Sequence, residues 1–278
     1  MIRTHIKPDQ AWLSIDWKEI WQYRDLLWIM VSRHFTTAYK QSILGPLWFV
    51  IQPLATTVVF TIVFGQIAKI GTDGIPPFVF YMSGMVLWNY FAGCLNGASG
   101  SLVGNAGLFQ KVYFPRLIAP ISILFSQMIY FLINLAVFAA FYLYYLFFLK
   151  TGIQPTLWIL ALPALVLQAA IVGMGVGLWL SALTVKYRDV SFLLPFLTQL
   201  WMYATPIIYP ASYVPEKLRM LYYLNPMASV VEFNRFAFFG VGTLTKETFL
   251  FGIGSGLLIL ITGLLMFNRS QRTFVDTI

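Results

Sequence analysis

Charge is scarce in this sequence. Of 278 residues only 28 are charged, 18 Lys or Arg and 10 Asp or Glu, where a soluble domain carries about a quarter. A surface clothed for water is therefore excluded. Cysteine is nearly absent: Cys94 stands alone, which rules out an intrachain disulfide and a cysteine-based metal site. The two histidines, His5 and His34, lie far apart and give no metal cluster. No glycine-rich phosphate loop with its lysine occurs, so no nucleotide hydrolysis and no cofactor are expected in this chain. Met1 to Gln22 has no apolar central stretch, and no signal peptide is expected there.

What fills the chain instead is apolar and aromatic, 59% and 18% of residues. Charge-free runs cover 41–68, 74–110, 117–149, 151–185, 190–215 and 248–268. A helix needs about 20 apolar residues to cross hydrocarbon, so each run holds one span. The reading is an all-α integral membrane protein, a single domain over 1–278. Its six transmembrane helices are placed at approximately 46–68, 80–103, 117–147, 158–183, 191–209 and 248–268. Strand-based spanning is disfavoured, because barrels show short alternating segments. Gly173, Gly175 and Gly177 allow close helix contact in the fourth span, and Pro163 a bend.

Six spans leave both termini on one side. That side holds Arg3, Lys7, Lys18, Arg24, Arg33, Lys40, Lys111, Arg116, Lys186, Arg188, Arg269 and Arg272. The other holds Lys69, Lys150, Lys217, Arg219, Arg235 and Lys246. The rule for basic loop residues places both termini in the cytoplasm. "FQKVYFPR" and "KYRD" are then cytoplasmic turns, in which Asp189 can pair with a base or cap the next helix. The net charge of +8 sits in membrane anchors and does not point to nucleic acid.

Two segments are not spans. In 17–40 the residues Trp17, Ile20, Trp21, Leu27, Trp28, Val31 and Phe35 recur at roughly helical spacing. This predicts an amphipathic interface helix, started by Asp16. Between spans five and six, Pro206, Pro210, Pro215 and Pro226 divide a stretch too polar to cross. Short helices over 215–224 and 227–239 are expected near the outer surface, with Glu232 and Arg235 spaced to pair.

Almost no charge lies at hydrocarbon depth, which argues against an ion-coupled carrier. Asn89, Asn96, Asn105, Gln127, Asn134, Gln168 and Gln199 can line a path or join helices. The many rings suit contact with sugars, and equally with lipid.

Ordered motifs across nearly the whole chain sharpen this reading. "RHFTTAYKQSILGPLWFVIQP" carries Arg33, Tyr39, Lys40, Leu44, Gly45, Trp48 and Pro53. "LVGNAGLFQKVYFPRLIAP" carries Asn105, Lys111, Phe114, Pro115 and Arg116. "KYRDV", with Lys186, Tyr187, Arg188 and Asp189, "ATPIIYP" and "YYLNPMASVVEFNR" follow. Together they resemble the permeases of polysaccharide-exporting ABC transporters, of ABC-2 type. The resemblance implies a bacterial inner-membrane permease that pairs with a second copy and with two copies of a separate ATPase. ATP and magnesium would belong to that partner. It implies that 104–116 is the coupling region docking on the ATPase, with a second contact from 17–40. It implies outer gate helices over 211–240, with Pro210, Asn225, Pro226, Glu232 and Arg235, and a lipid-linked glycan as substrate. Lys111 or Arg116 can instead meet the diphosphate headgroup. Exporters of drugs or small lipids, and a non-transporting scaffold, are the competing readings.

Overall fold

The computed structural model describes residues 16–40, 42–149, 152–242 and 246–274, without the side chains of 220, 221, 246 and 272–274. Arg3, His5, Lys7 and Lys150, and the side chains of Lys246 and Arg272, therefore lie outside the described residues. Among the described residues the architecture is all-helical, and five helices are long and apolar enough to cross a membrane.

Helix α1 (Trp17–Gln22) is capped by Asp16, whose Oδ1 accepts from the Glu19 amide at 3.0 Å. The chain breaks step at Tyr23 and continues as α2 (Arg24–Tyr39). The first span begins with a tight turn at Gly45–Leu47, runs as α3 (Trp48–Phe60), and ends in wider π-helical turns to Ile67. Next comes α4 (Pro77–Ser99), followed by the short α5 (Ser101–Gly104) and α6 (Ala106–Phe109). Then α7 (Ile118–Phe147) and α8 (Leu162–Lys186) cross in turn, α8 being led by a 3-10 segment, Leu157–Ala161. Last come α9 (Val190–Tyr203), α10 (Glu216–Tyr222), α11 (Pro226–Phe239) and α12 (Lys246–Phe274).

Helix α4 is the centre of the bundle. Of its most apolar stretch 78% is buried, against 6% for the Gly45–Ile67 span. Its partners are α7 and α8, and α8 in turn packs along α12. Small residues set these spacings. A Cβ on Gly173 would lie 2.8 Å from the Phe91 carbonyl oxygen, and one on Gly177 2.8 Å from that of Leu95. Gly175 faces the other way: a Cβ there would lie 2.7 Å from the Leu260 nitrogen of α12. The three glycines thus serve two interfaces, α4–α8 and α8–α12.

The expected fifth span, 191–209, takes a different form. Helix α9 has 14 residues, about 21 Å of rise, and stops short of the about 30 Å hydrocarbon thickness. Helices α10 and α11, the latter packed against α4, α8 and α12, form a hairpin. Asn225 sits at its tip and meets the end of α9. Its Oδ1 accepts from Trp201 Nε1 at 2.9 Å and caps the Met227 amide at 3.0 Å, while its Nδ2 donates to Thr205 Oγ1 at 2.9 Å. From that tip α11 returns to Gly240, whose φ of +71° ends the helix in the left-handed region. Nearly all of α11, Pro226 to Phe239, is buried except Phe236.

Candidate functional site

Three groupings of polar residues stand out. The first is a platform at the end of the bundle where α4 passes into α7. Arg33 on α2 donates from Nη2 to Asn105 Oδ1 at 3.0 Å, and Asn105 Nδ2 donates to the Ser101 carbonyl at 2.9 Å. A 72-residue separation is closed by one charge-assisted bond. Leu27, Met30 and Val31 of α2 pack on Phe114, Ile118 and Ala119. Tyr113 donates to Glu19 Oε1 at 3.4 Å, bringing α1 to the same turn.

The expected site residues of this region fall as follows. Phe114 is buried, its ring 5.1 Å from that of Phe109, and Arg116 lies half-buried with its guanidinium 5.9 Å from the Phe109 centroid. Burial lowers the Arg116 pKa from its ordinary value. Pro115 is half-buried, and Lys40 and Lys111 are exposed. Tyr39 closes α2 against Phe35, with ring centroids 5.3 Å apart. Lys186, Tyr187, Arg188 and Asp189 are exposed at the end of α8, which Thr184 ties to the Ser99 carbonyl at 3.1 Å. Asp189 occupies the cap position of α9 but makes no side-chain cap hydrogen bond.

The apolar residues of 17–40 do not share one face. Leu27 and Val31 point into the bundle, while Trp17, Trp21 and Trp28 remain exposed. The helix pair thus offers a packed side and an aromatic outer side.

The second grouping is a cavity of about 780 Å³ between α2, α3, α4, α5 and α7. Five of the seven amide side chains noted in the sequence line it: Asn89, Asn96, Asn105, Gln127 and Asn134. Arg33 and His34 stand at the platform end. Burial, and then Arg33, lower the His34 pKa below its ordinary value, which keeps the imidazole neutral near pH 7. The other two amides lie elsewhere: Gln168 donates to Ser229 Oγ at 3.4 Å and Gln199 to Tyr203 at 3.1 Å.

The third grouping is inside the hairpin. Arg235 Nη1 lies 3.3 Å from Glu232 Oε1, with both side chains almost fully enclosed. Arg235 Nη2 donates to the Ile207 carbonyl at 3.0 Å, and the guanidinium sits 3.7 Å from the Phe80 centroid. Glu232 also accepts from the Ala211 amide at 3.4 Å. Pro210 and Pro226 are buried around it. This pair therefore holds α11, α4 and the 207–211 turn together.

A model of the ABC-2 type transporter family matches residues 25–239, which includes the platform, the cavity and the hairpin. The chain belongs to the ABC-2 type transporter family. Over 254 residues it is 29% identical to an O-antigen export system permease protein, RfbA, of Klebsiella pneumoniae, covering 91% of this chain and 94% of that one. The RfbA of Myxococcus xanthus is 28% identical over 217 residues, 77% of this chain and 80% of its own. The polysialic acid transport protein KpsM of Escherichia coli is 25% identical over 213 residues, 73% and 77% of the two chains. Members of this family are non-catalytic transport subunits. Among the described residues of this ABC-2 permease, no three His, Cys, Asp or Glu side chains gather to hold a metal.

Proposed function

We propose that this permease is the channel-forming subunit of an ATP-driven exporter of lipid-linked polysaccharide, an O-antigen-like glycan on a polyprenyl diphosphate. Two copies form the pathway in the bacterial inner membrane, with both termini cytoplasmic. Two copies of a separate ATPase, which bind ATP and magnesium, dock below. The observation that carries this reading is the platform. Lys111, Phe114, Pro115 and Arg116 adjoin the Arg33–Asn105 bond, which fastens α2 to the α4–α7 connection, while Tyr39 and Lys40 end α2 nearer Phe49 and Tyr130. A push on either element is felt by α3, α4 and α7 together.

Lys111, Val112 and Tyr113 project from this end, exposed, and form the coupling contact. The 186–189 turn flanks it. The outward Trp17, Trp21 and Trp28 rest among headgroups, as interface helices do. At the opposite end the α10–α11 hairpin forms the outer gate, and α9 with the hairpin completes the sixth crossing. The exposed apolar side chains of the Gly45–Ile67 span and α9, among them Ile62, Val63, Phe192 and Phe196, face lipid and the second copy. The names of the similar proteins, O-antigen export permease and polysialic acid transport protein, favour a polysaccharide over a drug or small lipid.

Purification of the chain from its native membrane in mild detergent tests the partner. A nucleotide-binding ATPase at one copy per permease is expected. Its absence, even after crosslinking in the membrane, contradicts the coupling assignment and favours a scaffold.

A further inference from the structure

We propose that the cavity inside each protomer, between α2, α3, α4 and α7, is a binding site for the sugar–phosphate headgroup of the lipid-linked glycan. The proposal rests on the export reading above and adds the place where one chain alone holds its substrate.

The cavity has unusual walls for its depth. Asn134 lies 16 residues into α7 from Ile118, about 24 Å along the axis. Polar groups there cost free energy unless they are hydrogen-bonded. Some are satisfied within the chain: Asn134 Nδ2 donates to the Tyr130 carbonyl at 2.8 Å, and Asn96 Oδ1 accepts from Thr198 at 3.2 Å. Asn89 and Gln127 have no such partner among the described residues. Both are partly exposed to the space, whereas the His34 Nε2 is buried with no hydrogen-bond partner among the described residues. Asn89 and Gln127 thus present donors and acceptors to one space, and His34 lies behind its wall.

Their neighbours define the ligand's chemistry. No lining side chain among the described residues is acidic, and Arg33 gives the platform end a positive charge. A cation is disfavoured, and a phosphate near Arg33 is favoured. Amides recognise hydroxyls in either direction, since each offers donors and an acceptor. Phe49 and Tyr130, with ring centroids 4.6 Å apart, supply apolar faces for a sugar ring. At about 780 Å³ the space lies within the about 300–1,000 Å³ of ligand pockets. Gly93 keeps it in shape, because a Cβ there would strike the Gln127 amide.

The test is native mass spectrometry of the full chain in nanodiscs, titrated with a polyprenyl diphosphate-linked disaccharide. Wild type is expected to retain it in preference to the phosphatidylglycerol of the disc. The Asn89→Leu/Gln127→Leu double variant should bind about tenfold more weakly, as the loss of two hydrogen bonds implies. Gly104→Leu serves as the second variant. An added Cβ at that cavity-lining position meets no heavy atom within 4 Å, so a side chain can be added at the cavity's edge without a clash at its Cβ; it too should weaken binding about tenfold. Wild-type affinity in a folded Gly104→Leu protein overturns the proposal but leaves the export reading standing. Wild type holding phosphatidylglycerol equally well also overturns it. If surface polysaccharide is unchanged in cells lacking the chain, the export reading itself fails.

Discussion

Replacing Arg235 with Met leaves Glu232 enclosed without its cation, and the protein loses about 3–5 kcal/mol of stability. That approaches the whole margin of a folded domain, so little protein should accumulate in the membrane. The damage spreads because Arg235 also binds the Ile207 carbonyl and covers the Phe80 ring. With it gone, the turn after α9 loses its hydrogen bond to α11. Pairing the change with Glu232→Gln removes the enclosed charge and should recover a good part of the loss. Thermal melting in detergent of the single and double variants reads both effects. Equal melting temperatures for wild type and Arg235→Met contradict the structural role of the pair.

The second large effect is expected at the platform. Arg116→Glu reverses a half-buried charge that lies against Phe109, near Phe114 and the Tyr113–Glu19 contact. A carboxylate loses the cation–π attraction and repels Glu19 or an anionic headgroup. Export should fall about tenfold or more, which corresponds to about 1.4 kcal/mol in the coupled step, while the protein still inserts. Measuring surface polymer together with the ATPase rate separates the two roles. Lost export with the ATPase rate still high marks uncoupling; loss of both marks failed docking or failed substrate entry. Unchanged export and unchanged coupled ATPase activity contradict both roles for Arg116.

The spans were legible because hydrocarbon thickness demands long apolar runs, and the runs around α3, α4, α7, α8 and α12 have few rival explanations. The run 190–215 misleads for a physical reason. Its lack of charge continues past Tyr203, yet α9 ends there, where the hairpin tip at Asn225 bonds to Trp201 and to Thr205 just beyond the helix. Hydropathy cannot see that a residue some twenty positions later bonds to the end of that helix. The amides were visible one by one, but not that five of them share a cavity while Gln168 and Gln199 turn elsewhere. Helix rotation decides this, and rotation follows from packing at Gly93, Gly173 and Gly177. Roughly helical spacing groups the tryptophans of 17–40 with Leu27 and Val31. In the structure Leu27, Met30 and Val31 are buried while Trp17, Trp21 and Trp28 are exposed, so they lie on different sides.

The measurement that bears most directly on the account is the sidedness of lipid-linked polysaccharide in cells lacking this chain. Leaflet-selective labelling should find the polymer trapped on the cytoplasmic face. Restoring the chain together with its active ATPase partner should return the polymer to the outer face, whereas a hydrolysis-deficient partner should not. Polymer reaching the outer face in full amount without the chain would contradict its role as the export channel.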